Sequence, residues 1–286
     1  AENAGLWRGL WYEKNQMGIV MVATAVASAA VLAAPDRRER TVWTALLTLA
    51  LSIGLMLGTQ SKTSLLCLMA GLGVIGGLWV MRRGGPVLSV AAVWGGVTAV
   101  GIAAWVWTDN SALILELLGK DPTLTGRTDI WESLMRRVAE RPWTGFGYSA
   151  FWGKESVPAH YVRLETGWLV PSAHNGWIDL LVQVGWPGAI MVGTVMAITL
   201  FALVIRLGGQ GFREGGFSLA YLLVFALLSA SESVLLSHAN LPWALFLALT
   251  ARALTPDPMP RRHSATVPLA RRRRGAYLTS PRIVPN

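Results

Sequence analysis

An all-α polytopic membrane protein is the fold class the sequence predicts, and three observations predict it. Hydrophobic residues make up 53% of the 286 positions and charged residues only 14%, where a soluble domain carries about 25% charged residues. The apolar positions gather into about seven stretches long enough to cross a bilayer as helices. Basic residues fall into alternate links between those stretches, the pattern that orients a chain in a membrane.

In chain order the expected spans run from Gly18 to Ala34, Trp43 to Thr59, Thr63 to Met81, Val87 to Trp107, Pro187 to Ile205, Phe217 to Leu236 and Leu241 to Leu254. The last is short. Gly71, Gly73, Gly76 and Gly77 are read as packing positions, because small residues let helices approach closely in lipid. Arg37, Arg38 and Arg40, then Arg82 and Arg83, then Arg206 and Arg213, fall on one side if the spans alternate. The tail after Thr255 adds Arg261, Arg262, Arg271 to Arg274 and Arg282 on that side, and it supplies most of the net charge of +9. The rule that positive loops stay inside makes this side cytoplasmic. Such a tail reads as a contact for lipid headgroups. No nucleic-acid module accompanies it, so nucleic acid is not an expected partner.

Four segments follow: residues 1–107 with about four spans, an outward loop over 108–176, an interfacial helix and about three spans over 177–254, and a basic, disordered tail over 255–286. The chain opens on Ala1 with no basic n-region or cleavage site, so it is read as a fragment with further spans ahead of it. Its one cysteine, Cys67, lies in an apolar run and excludes an internal disulfide or cysteine metal cluster.

The outward loop holds Asp109, Glu116, Asp121, Asp129, Glu132, Glu140, Glu155 and Glu165. Its aromatics, among them Trp131, Trp143, Phe146, Tyr148, Phe151, Trp152, Tyr161 and Trp168, favour an ordered structure. Two amphipathic helices are legible in and after it. Trp131, Leu134, Met135 and Val138 follow a helical spacing, with Thr128 as a cap, Asp129 in the first turn, and Arg141-Pro142 as the stop. Trp177, Leu180, Leu181 and Val184 repeat the spacing, capped by Ser172 or Asn175 and broken at Gly185-Trp186-Pro187-Gly188. Both are expected to lie on the membrane surface, apolar face down.

The outward side collects Arg8, Lys14, Lys62, Arg127, Arg136, Arg137, Arg141, Lys154 and Arg163, with His160, His174 and His238. There is no DxD pair, no HExxH and no cysteine cluster, which argues against a metal site. Cations without a metal suit an anionic substrate such as a pyrophosphate at headgroup level. Lys62 sits in a tight turn between two spans, as a phosphate contact or a snorkelling lysine. His174 precedes a helix and suits a neutral base, or a capping role. Arg127 opens a helix, as an anion contact or a surface charge. Glu232, an acid within a span, is a functional candidate by position. Asp179 is either functional or solvated.

Several motifs then resemble one family. Thr125-Gly126-Arg127-Thr128-Asp129-Ile130-Trp131, Glu140-Arg141-Pro142-Trp143-Thr144-Gly145-Phe146-Gly147-Tyr148 and Ala173-His174-Asn175-Gly176-Trp177-Ile178-Asp179 are similar to the O-antigen ligase/polymerase superfamily, and closest to its exopolysaccharide-producing branch. Trp7-Arg8-Gly9-Leu10, Lys14-Asn15-Gln16-Met17-Gly18, Ser61-Lys62-Thr63 and Ser231-Glu232-Ser233 also match, in order, from Leu6 to Leu254. The resemblance implies a GT-C-like helical bundle with a large periplasmic loop, in a bacterial inner membrane. It implies a metal-independent, inverting glycosyltransferase that uses an undecaprenyl-pyrophosphate-linked glycan donor and a glycan or lipid-linked acceptor, with no cofactor. A flippase and a chain-length co-polymerase are the implied protein partners. Carried over residue by residue, His174 and Arg127 match catalytic positions. Arg8, Lys14, Lys62, Asp129, Asn175 and Glu232 are the candidate substrate contacts. Two departures stand out: Glu13 where histidine is expected, and Lys62 where ligases often carry arginine.

The expected function is polymerisation of lipid-linked repeat units into exopolysaccharide or O-antigen. Ligation of glycan to lipid A-core is the alternative within the family, and a flippase or transporter is the alternative outside it. Transporters place ionisable groups at mid-membrane and show repeat halves, whereas here polar groups gather at one end of nearly uncharged spans.

Overall fold

A computed structural model describes residues 7–11, 14–35, 38–92, 94–96, 98, 127–167, 169–207 and 212–255. Regular structure among the described residues is helical: α1 (Lys14–Ala33), α2 (Glu39–Thr59), α3 (Lys62–Arg83), α4 (Arg127–Glu140), α5 (Val157–Thr166), α6 (Gly176–Arg206), α7 (Phe212–Ser231) and α8 (Leu241–Leu254). Among the described residues, five helices are long and apolar enough to cross a membrane: α1, α2, α3, α6 and the Glu214–Ser231 part of α7. The protein is a multi-pass helical membrane protein. Most of the expected span from Val87 to Trp107 lies outside the described residues, as do Glu13, Arg37, residues 101–126, Trp168 and the tail beyond Thr255. The chain divides into Ala1–Leu254 and a separate unit, Thr255–Asn286.

The core forms where small residues let α1, α3 and α7 meet. Val22, Ala25 and Val26 of α1 are buried, as are Cys67 and Leu68 of α3 and Val224, Phe225 and Leu228 of α7. At Gly71 an added Cβ would stand 2.6 Å from Val26 Cγ2 and 3.1 Å from Val224 Cγ2, so this glycine seals a three-helix contact. Among the described residues Gly73, Gly76 and Gly77 meet nothing within 4 Å, and the expected packing role is seen there at Gly71. On α7 and α8, Phe225 stacks on Phe246 with centroids 4.6 Å apart. Thr199 of α6 and Thr250 of α8 share a buried hydroxyl contact at 3.0 Å. Leu46, Leu47 and Leu51 of α2 and Ile190, Met191, Phe201 and Ile205 of α6 remain exposed, a face that suits lipid.

The bundle has two chemically distinct ends. Toward one end, Arg82 donates to Leu207 O at 3.1 Å, and Arg206 donates to Ala253 O at 2.7 Å. Arg252 pairs with Glu214 at 2.5 Å. This end joins the C-termini of α3, α6 and α8 to the start of α7. The other end joins the starts of α1, α3 and α6 to the ends of α2 and α7. There, the Gln60 backbone is left-handed (φ 51°) and its N–H reaches Leu57 O, while Ser61 caps α3 by accepting from Ser64 N–H. A Cβ at Gly18 would meet the side chains of Ser64 and Thr59, so α1 begins against this turn.

The break in α6 is the main feature of the second half. Gly185 is non-helical (φ 69°, ψ −171°), which matches the break expected at residues 185–188. Pro187 has no N–H to give to Gln183 O, four residues back. Trp186 turns its N–H to Pro142 O at 2.8 Å, which leaves Val182 O open as well. Both orphaned carbonyls are taken by the preceding loop: Phe146 N–H donates to Val182 O at 2.8 Å, and Gly147 N–H donates to Gln183 O at 2.9 Å. The approach is close enough to need glycine at Gly145 (φ 60°), where a Cβ would stand 2.4 Å from Gln183 C and O. The Pro142–Gly147 stretch is therefore a backbone plug for the kink.

The segment expected to face outward differs from expectation in three ways. First, α4 starts at Arg127, so Thr128 lies inside the helix rather than capping it, while Asp129 does occupy the first turn. Second, its buried face is Ile130, Ser133, Leu134 and Val138. Trp131 is half-buried and Met135 exposed. That face packs on α5 and α6, so it is covered by protein rather than by a membrane surface. Third, α5 had no sequence expectation. Ser156 caps it by accepting from Ala159 N–H, and Gly167 ends it with φ 75°.

Candidate functional site

The site is assembled from chain segments that meet at the second end of the bundle. Gly176 begins α6 against the end of α7, where a Cβ would stand 3.0 Å from Ser229 O and 3.1 Å from Glu232 O. Asn175 caps α6, its side-chain oxygen accepting from Trp177 and Ile178 N–H at 3.0 and 3.2 Å. Trp131 on α4 donates its Nε1–H to Ala173 O at 2.8 Å. These contacts fix His174 from both sides, and its backbone is held left-handed with φ 48°. A non-glycine residue stays in that region only where its surroundings hold it there.

Three side chains converge on Glu232, which stands just past α7 and is 8% exposed. Asn15 of α1 donates its Nδ2–H to Glu232 Oε1 at 3.0 Å. Arg127 Nη2 lies 3.8 Å from the same oxygen, and its Nη1–H donates to Ser231 O at 3.0 Å. His174 Nδ1 lies 3.7 Å from Glu232 Oε2. A buried carboxylate needs such partners, because desolvation without them is costly. His174 and Arg127 are thus brought together, with Glu232 between them.

The remaining expected contacts are placed less tightly. Lys14 opens α1 and Lys62 opens α3, both at this end, with Lys62 exposed. Arg8 is exposed in the short segment whose Trp7 N–H donates to Gly58 O at 3.2 Å. Asp129 is exposed in the first turn of α4, and the Asn175 oxygen is committed to the helix cap. Asp179 is not solvated: it is 4% exposed and accepts from Trp152 Nε1–H at 2.6 Å. His160 and His238 are exposed, and no contact places them in the cluster.

Several of the cations expected on the outward side are structural. Arg136 and Arg137 both pair with Glu165 of α5, at 2.7 and 3.0 Å. Arg137 also pairs with Glu140. The Ser133 hydroxyl and the Arg136 guanidinium hold the Glu165 carboxyl below its ordinary range. Arg163 donates to Trp152 O at 3.2 Å, and Arg141 lies over the Phe146 ring at 5.1 Å. The sequence placed Arg136 and Arg137 among the outward cations, and their partner helix α5 was not foreseen there. Among the described residues no group of three or more histidine, cysteine, aspartate or glutamate side chains could hold a metal ion.

Comparison with known proteins supplies the remaining findings. The family model described as O-antigen ligase matches residues 47–193. The matched range holds Lys62, Arg127, Asp129, His174 and Asn175, and leaves Arg8, Lys14, Asn15 and Glu232 outside it. The exopolysaccharide production protein ExoQ of Rhizobium meliloti (strain 1021) is 31% identical over 163 residues, covering 53% of this chain and 36% of the relative. The chain thus spans about a third of the length of that curated relative.

Proposed function

Because the chain belongs to the O-antigen ligase family, we propose that it carries the reaction centre of a membrane glycosyltransferase that polymerises lipid-linked sugar repeats. The donor is a glycan on a polyprenyl pyrophosphate such as undecaprenyl pyrophosphate. An acceptor hydroxyl attacks the anomeric carbon from the face opposite the leaving group, which inverts the configuration. The bond from that carbon to the pyrophosphate oxygen breaks, and its electron pair leaves with the pyrophosphate. The hydroxyl proton passes to His174 Nε2.

The observation that carries this reading is the meeting of an imidazole and a guanidinium on one carboxylate, His174 at 3.7 Å and Arg127 at 3.8 Å. Charge for the leaving pyrophosphate comes from Arg127, whose guanidinium keeps further donors beyond its Ser231 and Glu232 contacts, and from Arg8, Lys14 and Lys62. Such electrostatic stabilisation acts strongly where water is partly excluded, and no step calls for a metal. The arginine-rich end of the bundle faces the cytoplasm by the positive-inside rule, so the reaction centre faces the periplasm. Exopolysaccharide, rather than a lipid A-core acceptor, is favoured by the similarity to ExoQ.

The test is transfer in reconstituted vesicles with labelled lipid-linked repeat units, beside a flipping assay on the same vesicles. We expect polymer from the unaltered protein and a loss of about 100-fold or more in His174→Ala and Arg127→Ala. Full polymer output from both variants, correctly inserted, would sink the assignment. Flipping without transfer would make the protein a transporter.

A further inference from the structure

We propose that Glu232 is the positioning residue of this site: its carboxylate fixes the tautomer of His174 and the place of the Arg127 guanidinium, and does not touch substrate. The inference rests on the reading of His174 as the proton acceptor. It gives Glu232 a different task from the substrate contact implied by resemblance.

The two carboxylate oxygens are divided between partners. Oε1 accepts from Asn15 at 3.0 Å and faces Arg127 Nη2 at 3.8 Å. Oε2 is left for His174 Nδ1 at 3.7 Å. That Nδ1 is buried and has no hydrogen-bond partner among the described residues. A buried ring nitrogen needs one, and closing this gap by roughly 0.7 Å would make a hydrogen bond. Catalytic hydrogen bonds are often long before substrate binds and tighten with it.

The chemistry follows from the imidazole. In its neutral form one ring nitrogen carries a proton and the other a lone pair. A proton on Nδ1 facing Glu232 leaves the lone pair on Nε2, where the acceptor hydroxyl must deliver its own. When the proton arrives, the imidazolium formed stands against the carboxylate, which offsets its charge. Glu232 itself is held by its backbone: its N–H donates to Leu228 O at 2.8 Å, and Val234 N–H donates to its carbonyl at 2.9 Å. Oε1 is bonded to Asn15, Oε2 faces the buried Nδ1 of His174, and the residue is only 8% exposed, an arrangement that suits positioning better than contact with a sugar.

The experiment uses the full chain in nanodiscs with a lipid-linked glycan donor, and solid-state nitrogen NMR of 15N-histidine. The chain has four histidines, and the spectrum of His174→Ala assigns the signal. In Glu232→Gln we expect kcat to fall roughly 100-fold, the scale of lost general-base catalysis, with donor KM little changed and the His174 tautomer no longer uniform. Unchanged kcat with the wild-type tautomer overturns the proposal. So does a rise in KM at constant kcat, which would make Glu232 a substrate contact. Should Glu232→Gln fail to insert, Glu232→Asp withdraws the charge by one methylene and is read in the same way, with wild-type turnover and tautomer counting against the proposal. His174→Ala separates the two levels: full turnover there removes the underlying reading, whatever Glu232→Gln does.

Discussion

A methyl group added at Gly176 would stand 3.0 Å from Ser229 O and Leu235 Cγ, with Glu232 O at 3.1 Å. Two of these three neighbours are backbone and cannot rotate away. We expect Gly176→Ala to cost about 1–3 kcal/mol of overpacking, read by SDS-titrated unfolding in mixed micelles. It should also lower transfer more than it lowers stability, because the strain moves His174 away from Glu232. Full activity in a correctly inserted Gly176→Ala protein would show that the contact is slack. At this scale the sequence was informative about identity and silent about partnership. Arg127, His174 and Glu232 were all legible as unusual residues for their surroundings. The bond from Asn15 to Glu232 joins positions 217 apart, and no local pattern carries that distance. The burial of Asp179 was hidden for the same reason, since its partner Trp152 belongs to a loop without periodicity.

Among the elements, the α6 kink separates two substitutions that a sequence would treat alike. Gly185 has φ 69° and ψ −171°, a combination open to essentially no other residue. We expect Gly185→Ala to cost about 1–3 kcal/mol from this backbone strain alone. Pro187→Ala should be mild, because Gln183 O, which a new N–H would seek, already accepts from Gly147. Equal losses in the two variants would contradict this account of the break. The α4–α5 pair carries a pH dependence. The Glu165 carboxyl is held below its ordinary range by Ser133 and Arg136, so its contribution is present above that range and is lost as pH falls through the lowered value. Glu165→Gln should reduce amide protection of α4 at neutral pH and match the unaltered protein once both side chains are uncharged. A gap persisting into acid would point to packing instead. The kink was readable because Gly and Pro punctuate a chain locally. The α5 helix was not, because it spans only 10 residues and its stability comes from docking on α4.

For the whole molecule, the division into two ends was the most legible property, since it follows from where charges interrupt apolar runs. The structure gathers Arg82, Arg206 and Arg252 at one end and Asn15, Arg127, His174 and Glu232 at the other. Labelling reads the orientation directly, because Cys67 is the one cysteine of the chain and is buried. On a Cys67→Ser background, an impermeant maleimide should reach Lys62→Cys in cells with a permeabilised outer membrane, and Arg83→Cys only after lysis. The reverse pattern would place the reaction centre in the cytoplasm. Less legible was the protein-covered face of α4, which amphipathic spacing alone cannot distinguish from a face laid on lipid. The plug at the α6 break has an evolutionary corollary. Residues 142–147 and the broken helix complete one another's main-chain bonding, so they form one heritable module. A chimera importing residues 142–147 from a cousin without the matching bend would strip the Val182 and Gln183 carbonyls of the main-chain donors they have here, a loss that is costly wherever water is scarce.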